Sequence, residues 1–296
     1  MKQVLRAMVL ILAAAVPAAA QQPTETAWSG VEKALGRAGE EKEGVYRVAF
    51  PRTDLRVRVG GAFLRASLAL TSWAAFQKAG GAAMVMGDMV LLGAEVQPAL
   101  SKLAEGGLEI TAVHNHLLGE VPRVIYLHFH GHGDAAQLAA ALRAAFAQTA
   151  TPLGTPRPRA TQESPALDLS RLSQVLGHSG ASQAGVVSFS IPRAEKILCC
   201  GGVALGPRMG VATAIHFQVE GSGAVTTGDF VLLAAEVQPV IRALRAHGLE
   251  VTAVHNHMID EQPRLFFAHF WGRDAAEKLA RGLRAALDET GSVKAK

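Results

Sequence analysis

Apolar and polar positions along this chain alternate with a period of two in some stretches and of about 3.6 in others, and the same succession is written twice. Short helices are predicted at residues 31–35 and 172–176. Strands follow at 45–50, 55–59 and 67–76, matched by 186–191, 197–200 and 211–219. Another pair comes at 84–92 and 225–233. Val96, Leu100 and Leu103 share one face of a helix from Glu95 to about Ala104, with Pro98 in its first turn. Gly106-Gly107 ends it, as Gly248 ends its partner. Two strands and a final helix close each copy, with Asp134 and Asp274 as N-caps.

The repetition is one of residues as well as of pattern. His114-Asn115-His116 returns as His255-Asn256-His257, an offset of 141 positions. The same offset carries Gly87-Asp88 onto Gly228-Asp229 and Pro51-Arg52 onto Pro192-Arg193. The fold class is therefore α+β, a tandem duplication of an antiparallel-sheet/helix unit ending β-α-β-β-α. This is a ferredoxin-like core with extra N-terminal strands. The copies occupy residues 24–149 and 166–290, joined by a proline-rich linker over 150–165. Two lobes about a pseudo-twofold are expected, with room for a small molecule between them.

Residues 1–20 have a short basic start at Lys2 and Arg6, an apolar run, and Ala18-Ala19-Ala20 before Gln21. They read as a secretory signal peptide, which places the mature chain in the periplasm or outside the cell. The run is shorter than a bilayer requires, and no membrane span is expected after its removal. Loss of Lys2 and Arg6 takes the formal charge from +4 to +2. That charge and an aromatic content of 5% argue against nucleic acid as a partner. Oligomeric state is not legible.

Five of the eleven histidines lie between positions 114 and 132, and three between 255 and 269. Side chains alternate across a strand, so His114 and His116 share a face. Folding the hairpin about Val121 sets His114 opposite His128 and brings His116 diagonal to it. The same construction joins His255, His257 and His269. Three converging imidazoles make an open metal site, with a fourth position for water or substrate. Such a set suits a divalent transition metal, Zn or Cu. Copy one adds His130 and His132 where copy two has Trp271 and Arg273, and His216 replaces Ala75.

Other polar residues carry two readings each. Glu120 and Glu261 are solvated turn residues, or weak catalytic candidates that take a proton from metal-bound water. Glu95 and Glu236 read as helix caps, and Asp88 and Asp229 as turn formers at strand entry. Arg52 and Arg193 read as exposed loop arginines, or as anion clamps. Cys199 and Cys200 are adjacent, a spacing poorly suited to bonding each other. They read as buried small hydrophobes in a strand, or as a soft-metal or redox pair.

Val113-His114-Asn115-His116, Pro122-Arg123 and Leu127-His128-Phe129 resemble the signature of the LppY/LpqO family of bacterial envelope proteins, as do residues 254–271 and Gly228-Asp229-Phe230. The resemblance covers most of the mature chain and implies an envelope address and a duplicated domain of unknown function. Several members look like lipoproteins; this chain has no cysteine near residue 21. Three functional readings follow: an exported protein with a His-rich metal site on the hairpin of each repeat, a non-metal small-molecule binding module, or a structural envelope protein. No Gly-x-Ser-x-Gly elbow, phosphate loop or dinucleotide fingerprint is present. Enzyme activity stays open.

Overall fold

The computed structural model describes residues 27–154 and 167–294. The signal-peptide expectation and residues 155–165 of the expected linker lie outside the described residues. Residues 150–154 belong to the first repeat: Ala150 N donates to Glu95 Oε1 (2.8 Å), and Leu153 packs on the core.

The first repeat runs α1 (Ser29–Leu35), β1 (Glu40–Lys42), β2 (Val45–Pro51), β3 (Arg58–Val59), β4 (Ala62–Phe63), α2 (Ala66–Ala69), β5 (Thr71–Ala79), β6 (Ala82–Leu92), α3 (Gly93–Glu105), β7 (Glu109–His114), β8 (Val124–Gly133) and α4 (Ala135–Phe146). The second runs α5 (Leu169–Leu176), β9 (Ala181–Gln183), β10 (Val186–Pro192), β11 (Ile197–Cys199), β12 (Val203–Leu205), a 3-10 turn at Pro207–Met209, β13 (Ala212–Glu220), β14 (Gly223–Leu232), α6 (Ala234–Ala246), β15 (Glu250–His255), β16 (Phe266–Asp274) and α7 (Ala276–Asp288). Each repeat forms a six-stranded antiparallel sheet, ordered β1-β2-β5-β6-β8-β7 and β9-β10-β13-β14-β16-β15. The chain is thus α+β and duplicated. In a ferredoxin-like unit a last strand returns beside the first; here β5, from earlier in the chain, takes that place beside β6.

Helices cover one face of each sheet. Phe50, Phe76 and Phe129 meet Leu103, Leu142 and Phe146 in the first core, and Phe189, Phe217 and Phe270 meet Leu244 and Leu283 in the second. The opposite faces meet each other. Val45, Met84 and Met86 share a cluster with Ile197, Leu265 and Phe267, and Leu64 and Tyr126 share one with Val186, Val225 and Trp271. The architecture is α/β/β/α, and the inner layer explains why β6 is buried at nearly every position rather than at every second one.

Several expectations are corrected. Residues 55–59 give only the short β3, and 66–69 form a helical turn before β5 instead of extending it. Helix α3 starts at Gly93, so Pro98 lies inside it, as does Pro239 in α6. The early start has a cause: Glu95 and Glu236 reach back to the N–H groups of Leu92 and Leu233, each at 2.7 Å, and cap the helix from within. Asp134 caps α4 through Gln137 N, but α7 begins one residue later than expected; Asp274 closes β16 and accepts from Ala275 N. Arg52 and Arg193 are buried, not exposed, and each is chelated by two carboxylates of its own repeat. Cys199 and Cys200 form a vicinal disulfide, with Cys199 buried as expected and Cys200 at positive φ where the chain turns into Gly201-Gly202.

Candidate metal centre

The two His-x-His hairpins face each other across the inner layer. Within the first, the turn is centred on Glu120 instead of Val121, so Tyr126 lies opposite His114 and His128 opposite Ala112, and a β-bulge between Ile110 and Ala112 moves the pairing beyond them by one residue. The second hairpin has the same bulge, with Phe267 opposite His255 and His269 opposite Ala253. A shift of two preserves the face, so the histidines still point together. His116 and His257 lie just past the strand ends. The asparagine between the histidines stitches each loop to the other repeat. Asn115 Nδ2 donates to Thr252 O (3.0 Å) and Asn256 Nδ2 to Thr111 O (2.9 Å). Thr111 Oγ1 returns a bond to His257 O (2.6 Å), and Thr252 Oγ1 one to His116 O.

This stitching brings the two expected sites side by side. The rings of His114 and His255 lie 3.6 Å apart between centroids, His116 and His269 3.8 Å, and His128 and His257 4.0 Å. Every one of these close pairs crosses between repeats. Ligand atoms converge in the sets His114–His128–His255, His114–His116–His269 and His255–His257–His269, so only the last keeps to a single repeat as expected. Asp88 joins a fourth set with His116 and His128. Asp88 and Asp229 are not turn formers: they sit mid-strand, paired in register with His128 and His269, and their Oδ2 atoms lie 3.7 and 3.6 Å from Nε2 of His116 and His257. Their sequence signal is a lone carboxylate inside an apolar run, repeated at the same offset. Gly87 before Asp88 has a separate reason, because a Cβ there would lie 2.3 Å from both Phe129 Cζ and Trp73 O.

The electrostatics of the centre are one-sided. Nδ1 of His114, His255 and His269 donates to the carbonyls of Asn115, Asn256 and Gly228 at 2.9–3.0 Å. A proton on Nδ1 leaves Nε2 as a lone pair. Nε2 of all six histidines is buried without a hydrogen-bond partner, and so is Asp88 Oδ1. Burial pushes the His114 imidazole down to about 4, and burial with the neighbouring His114 pushes His255 to about 3. Burial and mutual crowding also lower His116, His128, His257 and His269. Burial raises both carboxylates, Asp88 further through the facing Asp229, and Asp229 to about 7. At His114, His255 and His269, where the carbonyl bond fixes the proton on Nδ1, a buried Nε2 lone pair faces inward without a donor, an arrangement that a cation would complete.

The remaining candidates fall elsewhere. Glu120 and Glu261 are buried in their turns, accepting from Val124 N (3.2 Å) and Leu265 N (2.8 Å), and belong to none of the converging sets. His130 lies 3.6 Å from Glu109, and His132 is exposed. His216 accepts or donates at Ser188 Oγ (2.8 Å) and faces a cavity of about 400 Å³ between the sheets, which His116, His128, His257 and His269 also line.

Comparison with curated proteins gives no match. Among solved structures, the chain is similar to the trimeric bacterial microcompartment shell protein PduB at 14% identity, covering 87% of this chain and 96% of that one, with a TM-score of 0.24. It is similar to EtuB from Clostridium kluyveri at 10% identity, covering 84% and 88%, with a TM-score of 0.20. Likenesses this loose carry no argument here. A family described as a Domain of Unknown Function (DUF1259) matches twice, over residues 29–148 and 170–289, so the chain belongs to that family and contains its domain in duplicate.

Proposed function

We propose that the chain is a transition-metal-binding protein of the bacterial envelope, exported by the signal at residues 1–20 and akin to the LppY/LpqO proteins. One metal centre is shared by the two repeats, with Zn or Cu held by Nε2 atoms drawn from His114, His116, His128, His255, His257 and His269 and with Asp88 and Asp229 beside it. The observation that carries this reading is the set of buried, partnerless Nε2 atoms beside one buried and one half-buried carboxylate. Neutral imidazoles need no deprotonation to bind, and a nearby cation would hold both aspartates ionised. The export and family parts are supported by the N-terminal pattern and the His-Asn-His signature.

Elemental analysis of protein purified without a nickel column tests the metal. A shared centre makes His114→Ala and His255→Ala equivalent, each emptying most of the metal. Two independent sites would instead lose about half with each variant, and native protein without transition metal would end the reading. N-terminal sequencing of the protein from its natural host should start at Gln21; an intact Met1 would remove the export part. A second reading, a small molecule between the repeats, is favoured by the cavity that opens beside the histidines.

A further inference from the structure

The cavity has one basic pole. In register across the first sheet run Ala49, Trp73, Asp88 and His128, and across the second Ser190, Ala214, Asp229 and His269. The scaffold is therefore symmetric, but its substituents are not. Where the first repeat places Arg47 and Trp73, the second has Ser188 and Ala214. The Arg47 guanidinium carbon lies 3.9 Å from the centre of the Trp73 ring. Trp73 in turn rests on Gly210 of the other repeat, where an added Cβ would come within 2.8 Å of the indole. Arg47 Nη1 donates to Arg208 O at 3.2 Å, its one side-chain hydrogen bond among the described residues. No carboxylate among them lies within ion-pair distance of it, in contrast to Arg52, Arg193 and Arg208.

A guanidinium anchored on an indole, with most of its donors unspent at a cavity wall, is built to receive a planar oxyanion. Burial, then the neighbouring Arg208, lowers its pKa to about 10 against the smaller upward pull of Asp88 and Asp229, which leaves it charged at neutral pH. The lining also includes His216, which is hydrogen-bonded to Ser188 behind it, and Ser190. The rest of the lining mixes apolar side chains, Leu68, Ala69, Ala212 and Ala214, with the hydroxyls of Ser67, Thr71 and Thr227. Asp88 of the His–Asp centre lies two strand spacings from β2, roughly 10 Å along the sheet, and His128 three.

We propose that this cavity binds a small carboxylate with a mainly apolar body, its carboxylate on Arg47 and its far end turned toward the His–Asp centre. The direction of the far end rests on the metal reading above; the anion pole does not. Calorimetric titration of the full chain with acetate, benzoate and 3-phenylpropionate tests it, with benzamide as the neutral isostere and inorganic phosphate as the anion without an apolar body. Benzoate or 3-phenylpropionate should bind saturably, with benzamide and phosphate at least about tenfold weaker, since a charge-assisted pair is lost in one and the apolar contacts in the other. Arg47→Gln should weaken the carboxylate by at least about tenfold and Arg47→Lys by less. Equal binding of benzoate and benzamide, unchanged affinity in Arg47→Gln, or no saturation by any of the three acids up to about 10 mM would overturn the proposal. If Arg47→Gln fails to fold, the benzoate–benzamide comparison on the unaltered chain decides. A metal-loaded protein indifferent to all three acids sinks this inference alone. Benzoate binding by a protein that never carries metal sinks the metal reading alone.

Discussion

Arg52 shows how far one side chain can depart from its local pattern. A Pro-Arg pair after a strand suggests a solvent-facing turn, yet Arg52 is fully buried. Its guanidinium bonds Asp54 (3.0 and 2.9 Å), Glu95 (2.7 and 3.1 Å) and the Val90 carbonyl (2.6 Å), using its planar fork on both sides. Arg193 repeats this with Glu195, Glu236 and Val231 O. Removing the cation strands two carboxylates, so Arg52→Ala should lower unfolding stability by about 3–5 kcal/mol in a denaturant titration. Arg52→Lys should recover only part, because an ammonium cannot chelate both acids. Burial alone pushes Glu95 and Glu236 upward, but the arginine and backbone hydrogen bonds outweigh it and their carboxyls end below the ordinary range. A carboxyl lowered on folding stabilises above its unfolded value, near 4.3, and that contribution disappears as pH falls through the folded value. Melting temperature should therefore hold from pH 7 to about 5 on this account and fall below about 4. An acid profile unchanged in Arg52→Ala would contradict the assignment.

The hairpins show which strand properties a one-dimensional pattern carries. Alternation placed the histidines on one face, because side-chain direction repeats every two residues whatever the partner strand does. Opposition was misjudged, since each turn is centred one residue earlier than a fold about Val121 assumes, which moves the pairing by two residues and leaves the face unaltered. The inner-layer strands also need glycines for reasons invisible in sequence. A Cβ on Gly228 would fall 1.9 Å from the Ala214 carbonyl oxygen, within the β13–β14 pairing. Gly228→Ala should thus cost about 2 kcal/mol or more by forcing backbone apart. On the proposed metal reading it should also reduce metal uptake, because Asp229 lies 3.6 Å from His257 and the Gly228 carbonyl accepts from His269. Wild-type melting temperature and metal content in that variant would show the pairing to be looser than described.

At the level of the assembled fold, the repeats are held by apolar clusters that each draw on both, and by reciprocal Asn and Thr bonds. Gln218 adds a link, donating to Phe63 O at 2.6 Å and accepting from Arg65 N at 2.8 Å. A protease site introduced between residues 155 and 166 and then cut should leave two fragments that co-elute in gel filtration. Separation under native conditions would mean that the inner faces do not hold the molecule together.

Duplication, the α+β class, the face of each histidine pair and the helix-capping glutamates were all legible along the chain. They depend on periodicity and short-range bonding, which neighbours in sequence settle among themselves. The shared centre was not legible. Nor were Asp88 and Asp229 as its acids, or Arg47 and Trp73 as the basic end of the cavity. Those depend on which sheet face meets which. Each repeat has one sheet face left uncovered by its helices, and only packing two such faces together buries the imidazoles deeply enough to leave their lone pairs without water.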